Sequence, residues 1–128
     1  FNETLDACRA AEFSKIHIFP FSARRGTPAA EMAGQLPNAV KRERRQELAR
    51  LEEELRDAYF ASLRGTILEV LIEESDDTRA IGTSCRYAPV RIEGPAAVGE
   101  FVSLKAEHAV DGVVQGRRTT CGAVPTLR

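Results

Sequence analysis

The sequence predicts an α+β chain in two parts: helices around one buried strand through residue 63, then a small five-stranded antiparallel β-barrel over residues 64–128. Three observations predict it. Apolar side chains recur at spacings of three and four between Asn38 and Leu63, which is the helical period. Beyond Gly65 the period falls to two, with Leu68, Val70 and Ile72 alternating with Glu69 and Glu73. Turn signals then recur at Ser75-Asp76-Asp77, Tyr87-Ala88, Gly94-Pro95 and Asp111-Gly112, cutting the remainder into short strands.

The elements follow in order. Residues 2–11 read as a helix, with Leu5 and Cys8 on helical spacing. Lys15 to Phe21 is a nearly continuous apolar run, the pattern of a strand buried on both faces, and Pro20 ends its ladder because it has no N–H to donate. A lone parallel strand has two open edges, so this part reads as the end of a larger barrel or sheet. The apolar surface left exposed there is expected to make the chain self-associate or order poorly. Gly26 and Pro28 mark a loop, with a helical turn through Met32. The long helix is expected to start on Asn38 as N-cap and stop at Gly65. It should bury Leu48, Leu51, Leu55, Ala58, Tyr59 and Ser62, and pair Glu52 with Arg56 across one turn. Further strands are expected around 79–85, 88–93, 98–107 and 110–115, closing a barrel of the oligonucleotide-binding shape, followed by a frayed tail over 117–128.

Composition narrows the function classes. Charge is balanced in both parts, with 10 Lys/Arg against 10 Asp/Glu through residue 63 and 8 against 9 after it. Neither part grips nucleic acid by net charge alone. No apolar run reaches the roughly 20 residues of a membrane span, and Phe1 to Asp6 carries no basic region followed by an apolar stretch, so no signal peptide is expected there. Cys8, Cys85 and Cys121 are scattered, which suits a reducing compartment and a cytoplasmic location. With only His17 and His108 beside them, no metal site is expected from this chain's own residues. The chain opens on Phe1 in a helical pattern, so a piece of a longer protein is expected.

Three stretches, in order, carry a resemblance. They are Ile16-His17-Ile18-Phe19-Pro20-Phe21-Ser22-Ala23-Arg24-Arg25-Gly26-Thr27-Pro28-Ala29-Ala30; then Gln35-Leu36-Pro37 with Val40-Lys41 and Arg44; then Ile67-Leu68-Glu69-Val70-Leu71-Ile72-Glu73. Together they resemble the C-terminal part of the radical S-adenosylmethionine methylthiotransferases. The His-x-Phe-Pro-Phe-Ser wording looks most like the enzymes acting on N6-threonylcarbamoyladenosine at position 37 of tRNA. The resemblance implies that residues 1–63 are the partial end of a radical S-adenosylmethionine (β/α) barrel and that residues 64–128 are a TRAM RNA-binding β-barrel. It implies a parent enzyme with S-adenosylmethionine and two 4Fe-4S clusters, an N-terminal domain and a radical domain that this chain lacks, and the tRNA anticodon arm as partner. The Cys-x3-Cys-x2-Cys motif of the radical cluster is absent from this sequence, so the chain alone is expected to bind neither cluster and to be inactive.

Each candidate residue carries two readings. Ser22, Arg24, Gly26 and Thr27 follow the strand where a barrel places its working loops, and the resemblance puts them, with Phe19 and Phe21, at the cofactor and substrate cavity. On spacing alone the loop is a turn capping the next helix, and Phe19 and Phe21 are core aromatics. His17, between Ile16 and Ile18, reads as a buried, hydrogen-bonded histidine. Lys41, Arg42, Arg44, Arg45 and Arg50 give the long helix a basic start, either for tRNA phosphates or as a solvated face. In the trailing part Arg86, Tyr87, Arg91, Lys105, Arg117 and Arg118 are the groups able to hold RNA, Tyr87 by stacking on an unpaired base. The acidic run Glu73, Glu74, Asp76 and Asp77 must then face away from it. Two rival readings are a protein-binding module without enzymatic activity and a complete small RNA-binding protein.

Overall fold

The computed structural model describes residues 1–119. It divides into two compact units, Phe1–Arg56 and Asp57–Arg128. Three helices come first: α1 (Asn2–Ala11), α2 (Pro28–Glu31) and α3 (Asn38–Ser62), the last running across the unit boundary. Five strands follow: β1 (Ile67–Ser75), β2 (Arg79–Ser84), β3 (Pro89–Glu93), β4 (Phe101–Val110) and β5 (Val113–Arg118).

In the first unit α1 buries Leu5 and Cys8 against Leu51 of α3, with Phe1, Ile16, Leu48 and Leu55 around them. Glu12 closes α1 in the left-handed region, where its N–H reaches the carbonyl of Arg9. The Lys41 N–H donates to the carbonyl of Pro37, so Pro37, one residue before the expected Asn38, occupies the N-cap of α3. The carboxylate of Glu52 lies 3.2 Å from Lys15 Nζ.

The strand expected over Lys15 to Phe21 does not form. Among the described residues it has no ladder partner, and a parallel strand without neighbours leaves every N–H and C=O to water. The segment alternates instead, with Ile16 and Ile18 half-buried and Lys15, His17 and Phe19 exposed. His17 is therefore not the buried histidine expected. Phe19 is 86% exposed and Phe21 47%, so neither is a core aromatic.

In the second unit the strands close a barrel in the order β1-β2-β3-β5-β4. All pairings are antiparallel except β3 with β5, so the all-antiparallel expectation is corrected at that seam. A chain that pairs β4 with β1 and returns β5 alongside β3 must cross the end of the cylinder, and this gives β5 the direction of β3. Leu68, Val70, Ile72, Val90, Ile92, Leu104 and Val114 point inward and are almost fully buried. Phe60 and Leu63, from the end of α3 and the turn after it, join the same core. Ala58 and Ser62, expected on the buried face, are exposed, because the end of α3 turns Phe60 and Leu63 to the barrel instead.

Two corners give the barrel its curvature. β1 bulges between Ile72 and Glu74, just past the pairing of Ile72 with Gly82. β4 bulges between Ala106 and His108, just past the pairing of Ala106 with Gly116. At both glycines an added Cβ would collide with a backbone carbonyl, that of Leu71 or of Lys105. A bulge opposite a glycine is how a closed sheet bends sharply without losing its ladder.

Turns match their residues. Asp111 and Gly112 both have positive φ, 51° and 73°, as a two-residue hairpin turn of the primed type requires. That turn separates β4 from β5, so the fifth strand runs Val113–Arg118, not 110–115, and Arg117 and Arg118 are strand residues, not tail. The remainder of the expected tail, from residue 120, including Cys121, lies outside the described residues. In the β1–β2 turn, Asp76 Oδ1 accepts from the Thr78 hydroxyl at 2.6 Å, the Thr78 N–H at 2.8 Å and the Arg79 N–H at 3.0 Å. These donors, the Thr78 hydroxyl first, lower the Asp76 pKa to about 2.

Candidate nucleic-acid interface

The outer face of β3, β5 and β4 gathers three of the six expected RNA-binding side chains of the second unit, Arg91, Lys105 and Arg117. Register sets this out: Arg91 pairs with Gln115 across the parallel seam, Gln115 with His108, and Arg117 with Lys105. The β4 bulge matters here. It adds Glu107 to the strand, so Lys105 and His108 are both exposed although they lie three positions apart, which regular alternation would put on opposite faces. A concave region of about 240 Å³ results, lined by Arg91, Glu93, Glu107, His108, Gln115, Gly116 and Arg117.

Its cations are not equally available. Arg117 Nε lies 3.1 Å from the Glu107 carboxylate, and Arg118 Nη2 donates to the Pro95 carbonyl at 2.5 Å. Arg118 thus serves the fold. Arg86, Arg91 and Lys105 make no ion pair among the described residues. A guanidinium without a protein carboxylate keeps its full donor fork for a phosphate.

At one end of β2 and β3 the 84–88 turn presents Arg86 and Tyr87. Ser84 is 4% exposed, and its hydroxyl oxygen accepts the N–H of Ala88 at 3.1 Å and of Arg86 at 3.3 Å. The Ser84 carbonyl accepts the Tyr87 N–H at 2.9 Å. Tyr87 sits at φ 58°, with 89% of its surface open to solvent. Asp76 and Asp77 lie at the other end, where Arg79 pairs with Glu93 and the Gly94 N–H reaches the Thr78 carbonyl, whereas Glu73 accepts the Thr83 hydroxyl at 3.1 Å, one residue before Ser84.

The first unit has its own groove, about 450 Å³, lined by Phe1, Phe19, Phe21, Met32, Leu36, Lys41, Arg44 and Arg45 among others. Lys41 Nζ donates to the Phe21 carbonyl at 3.1 Å and lies 5.5 Å from the Phe21 ring centre. A neighbouring hollow brings Ser22 together with Phe21, Lys41, Arg42 and Arg45. The structure thus joins three of the expected cofactor residues, Phe19, Phe21 and Ser22, to the basic start of α3. Arg24, Gly26 and Thr27 line neither hollow. Gly26 takes φ 81°, and the Thr27 hydroxyl donates to the Arg24 carbonyl at 2.8 Å, which closes a turn rather than capping α2.

The lining of the groove offers aromatic faces and cations but no carboxylate. S-adenosylmethionine carries a sulfonium and an ammonium, so these residues alone do not make a complete site for it, and no chemical step is derived through it. Among the described residues no three His, Cys, Asp or Glu converge on a metal-sized site, and Cys8 is buried while Cys85 is exposed. No described helix is long and apolar enough to cross a membrane.

Sequence reasoning named Arg91 and Arg117 but missed His108 and Gln115 beside them. The signal was present: counting back from Asp111-Gly112 places Gln115 directly opposite His108, before the bulge is reached.

No family model matches the chain. Curated relatives do. A tRNA-2-methylthio-N(6)-dimethylallyladenosine synthase of Aquifex aeolicus (strain VF5) is 37% identical over 106 residues, 82% of this chain and 24% of that protein. The threonylcarbamoyladenosine tRNA methylthiotransferase MtaB of Bacillus subtilis (strain 168) is 32% identical, over 82% of this chain and 25% of its own length. The ribosomal protein uS12 methylthiotransferase RimO of Anaeromyxobacter sp. (strain K) is 32% identical, over 91% and 27%. The chain spans about a quarter of the length of the curated relatives it matches, and its homologues over that quarter are methylthiotransferases.

Proposed function

We propose that the chain is the C-terminal part of a tRNA methylthiotransferase, with the barrel of residues 64–128 serving as a TRAM-type RNA handle. The observation that carries this reading is identity of 32–37% to methylthiotransferases over most of the chain. The exposed cations on β3, β4 and β5 support an RNA-facing role. Residues 1–63 are then the closing edge of a radical barrel whose remainder lies elsewhere in the same protein. That remainder supplies S-adenosylmethionine chemistry and the two 4Fe-4S clusters, the reaction runs in the cytoplasm, and this chain alone is inactive.

The substrate we propose is N6-threonylcarbamoyladenosine in the tRNA anticodon arm, on the His17-x-Phe19-Pro20-Phe21-Ser22 wording. Higher identity to a dimethylallyladenosine synthase, 37% against 32%, favours a second reading with that nucleoside. One experiment separates them. The full-length protein is expressed in cells lacking their own methylthiotransferases, and tRNA nucleosides are read by mass spectrometry. A methylthio gain on threonylcarbamoyladenosine supports the first reading, and on dimethylallyladenosine the second. A methylthio gain confined to a ribosomal protein refutes both.

A further inference from the structure

We infer that Tyr87 is a strained, pre-set stacking platform for an unpaired RNA base, held in place by the buried hydroxyl of Ser84. The inference rests on the RNA-binding reading above and assigns one residue within it.

Four observations converge. A bulky side chain at φ 58° is a backbone outlier, since the left-handed region crowds Cβ against the carbonyl. Such conformations persist only where neighbouring bonds fix them. Here they do: Ser84 accepts the N–H groups on both sides of Tyr87, and its own carbonyl accepts the Tyr87 N–H. The Tyr59 hydroxyl also donates to the Arg86 carbonyl at 3.4 Å. The ring gains nothing from the fold in return, being 89% exposed with no ring contact or hydrogen bond among the described residues. A glycine or asparagine would serve the turn at lower cost, so the tyrosine answers to something outside the chain.

The surroundings identify that something. Arg86 precedes Tyr87 in the turn, and Arg91 lies further along the outward face of β3, both without an ion pair among the described residues, while Asp76 sits at the far end of β2 and β3 and the Glu73 carboxylate is engaged by the Thr83 hydroxyl. An exposed aromatic face followed along the strand by cations free of ion pairs fits a base followed by its phosphates. A duplex offers no free base face, so the occupant is an unpaired nucleotide.

Stability and binding must then move in opposite directions. In the full-length protein, Tyr87→Gly and Tyr87→Asn are compared with the native chain for thermal midpoint and for binding of two labelled RNAs, a hairpin with an unpaired loop and a fully paired duplex. The expected result is a midpoint raised by roughly 4 °C, with loop-hairpin affinity lowered roughly 5- to 100-fold and duplex affinity unchanged. Tyr87→Phe should retain hairpin affinity, because the ring and not the hydroxyl stacks. Native hairpin affinity in the Gly and Asn variants overturns the inference and leaves the ring to a protein partner. A lowered midpoint overturns the strain argument. If the native protein binds neither RNA while Arg91→Ala also changes nothing, the RNA reading itself fails, and this inference with it.

Discussion

Replacing Gly82 with alanine tests the barrel's geometry directly. The new Cβ would overlap the Leu71 carbonyl oxygen, with the Leu71 carbonyl carbon 2.9 Å away and Ile72 Cα 3.1 Å away. All three are backbone atoms of β1, so no side chain can rotate out of the way. β1 and β2 must part at the Leu71–Thr83 and Ile72–Gly82 rungs, next to the bulge that turns the corner. Overpacking costs about 1–3 kcal/mol, and each weakened ladder bond about 0.5–1.5 kcal/mol more. With two such bonds a loss of about 2–6 kcal/mol follows, a large share of the roughly 5–15 kcal/mol that holds a domain together. For a domain of this size the midpoint should fall by roughly 4–8 °C for each kcal/mol lost. Urea denaturation and differential scanning calorimetry read it. Gly65→Ala is the control: it has φ 83° and nothing near its Cβ, so it should cost only about 1–2 kcal/mol. If Gly82→Ala unfolds within 0.5 kcal/mol of the native protein, roughly the margin of a neutral surface change, the close β1–β2 corner is wrong.

Other perturbations reach other parts of the fold. Ser84→Ala strands the N–H groups of Arg86 and Ala88 and should cost about 1–3 kcal/mol by chemical denaturation. Leu68→Ala removes a side chain 1% exposed at the barrel centre and should cost about 2–5 kcal/mol. Asp76 titrates at about 2 in the folded chain against an ordinary 3.8, so its contribution is full above the higher value and lost as pH falls toward the lower one. Asp76→Ala should flatten that acid limb in a circular-dichroism titration, and an unchanged limb counts against the Thr78 hydrogen bonds. Arg91→Ala should lower RNA affinity and reduce the slope of log K against log salt by about one; an unchanged slope removes Arg91 from the phosphate track.

The barrel was legible because half-buried strands write their inward side chains at every second position. Leu68, Val70 and Ile72, and Val102, Leu104 and Ala106, carried that signal, and Asp111-Gly112 marked the last hairpin. The bulge at Glu107 was not legible, since an extra residue leaves no mark on composition, and with it went the pairing of Lys105 with Arg117. The apolar run Ile16 to Phe21 misled for another reason. Hydrophobicity records what a segment could bury, while a strand also needs a partner for its backbone, and none is supplied among the described residues. The stripe on α3 failed at its end because that helix feeds two separate cores: Leu51 with Leu5 and Cys8, and Phe60 with the strands. The basic start of α3 and the Phe19-Phe21 pair carried separate readings in the sequence, the aromatics by default as core, and only the fold brings them, exposed, to a single groove.

The closing turns of α3 have a practical bearing on where this protein is cut. Phe60 and Leu63 fill the barrel's interior, and the Gly65 N–H donates to the Ala106 carbonyl. A piece begun at the first strand would be a cylinder with its stopper drawn. One begun at Asp57 keeps its own lid.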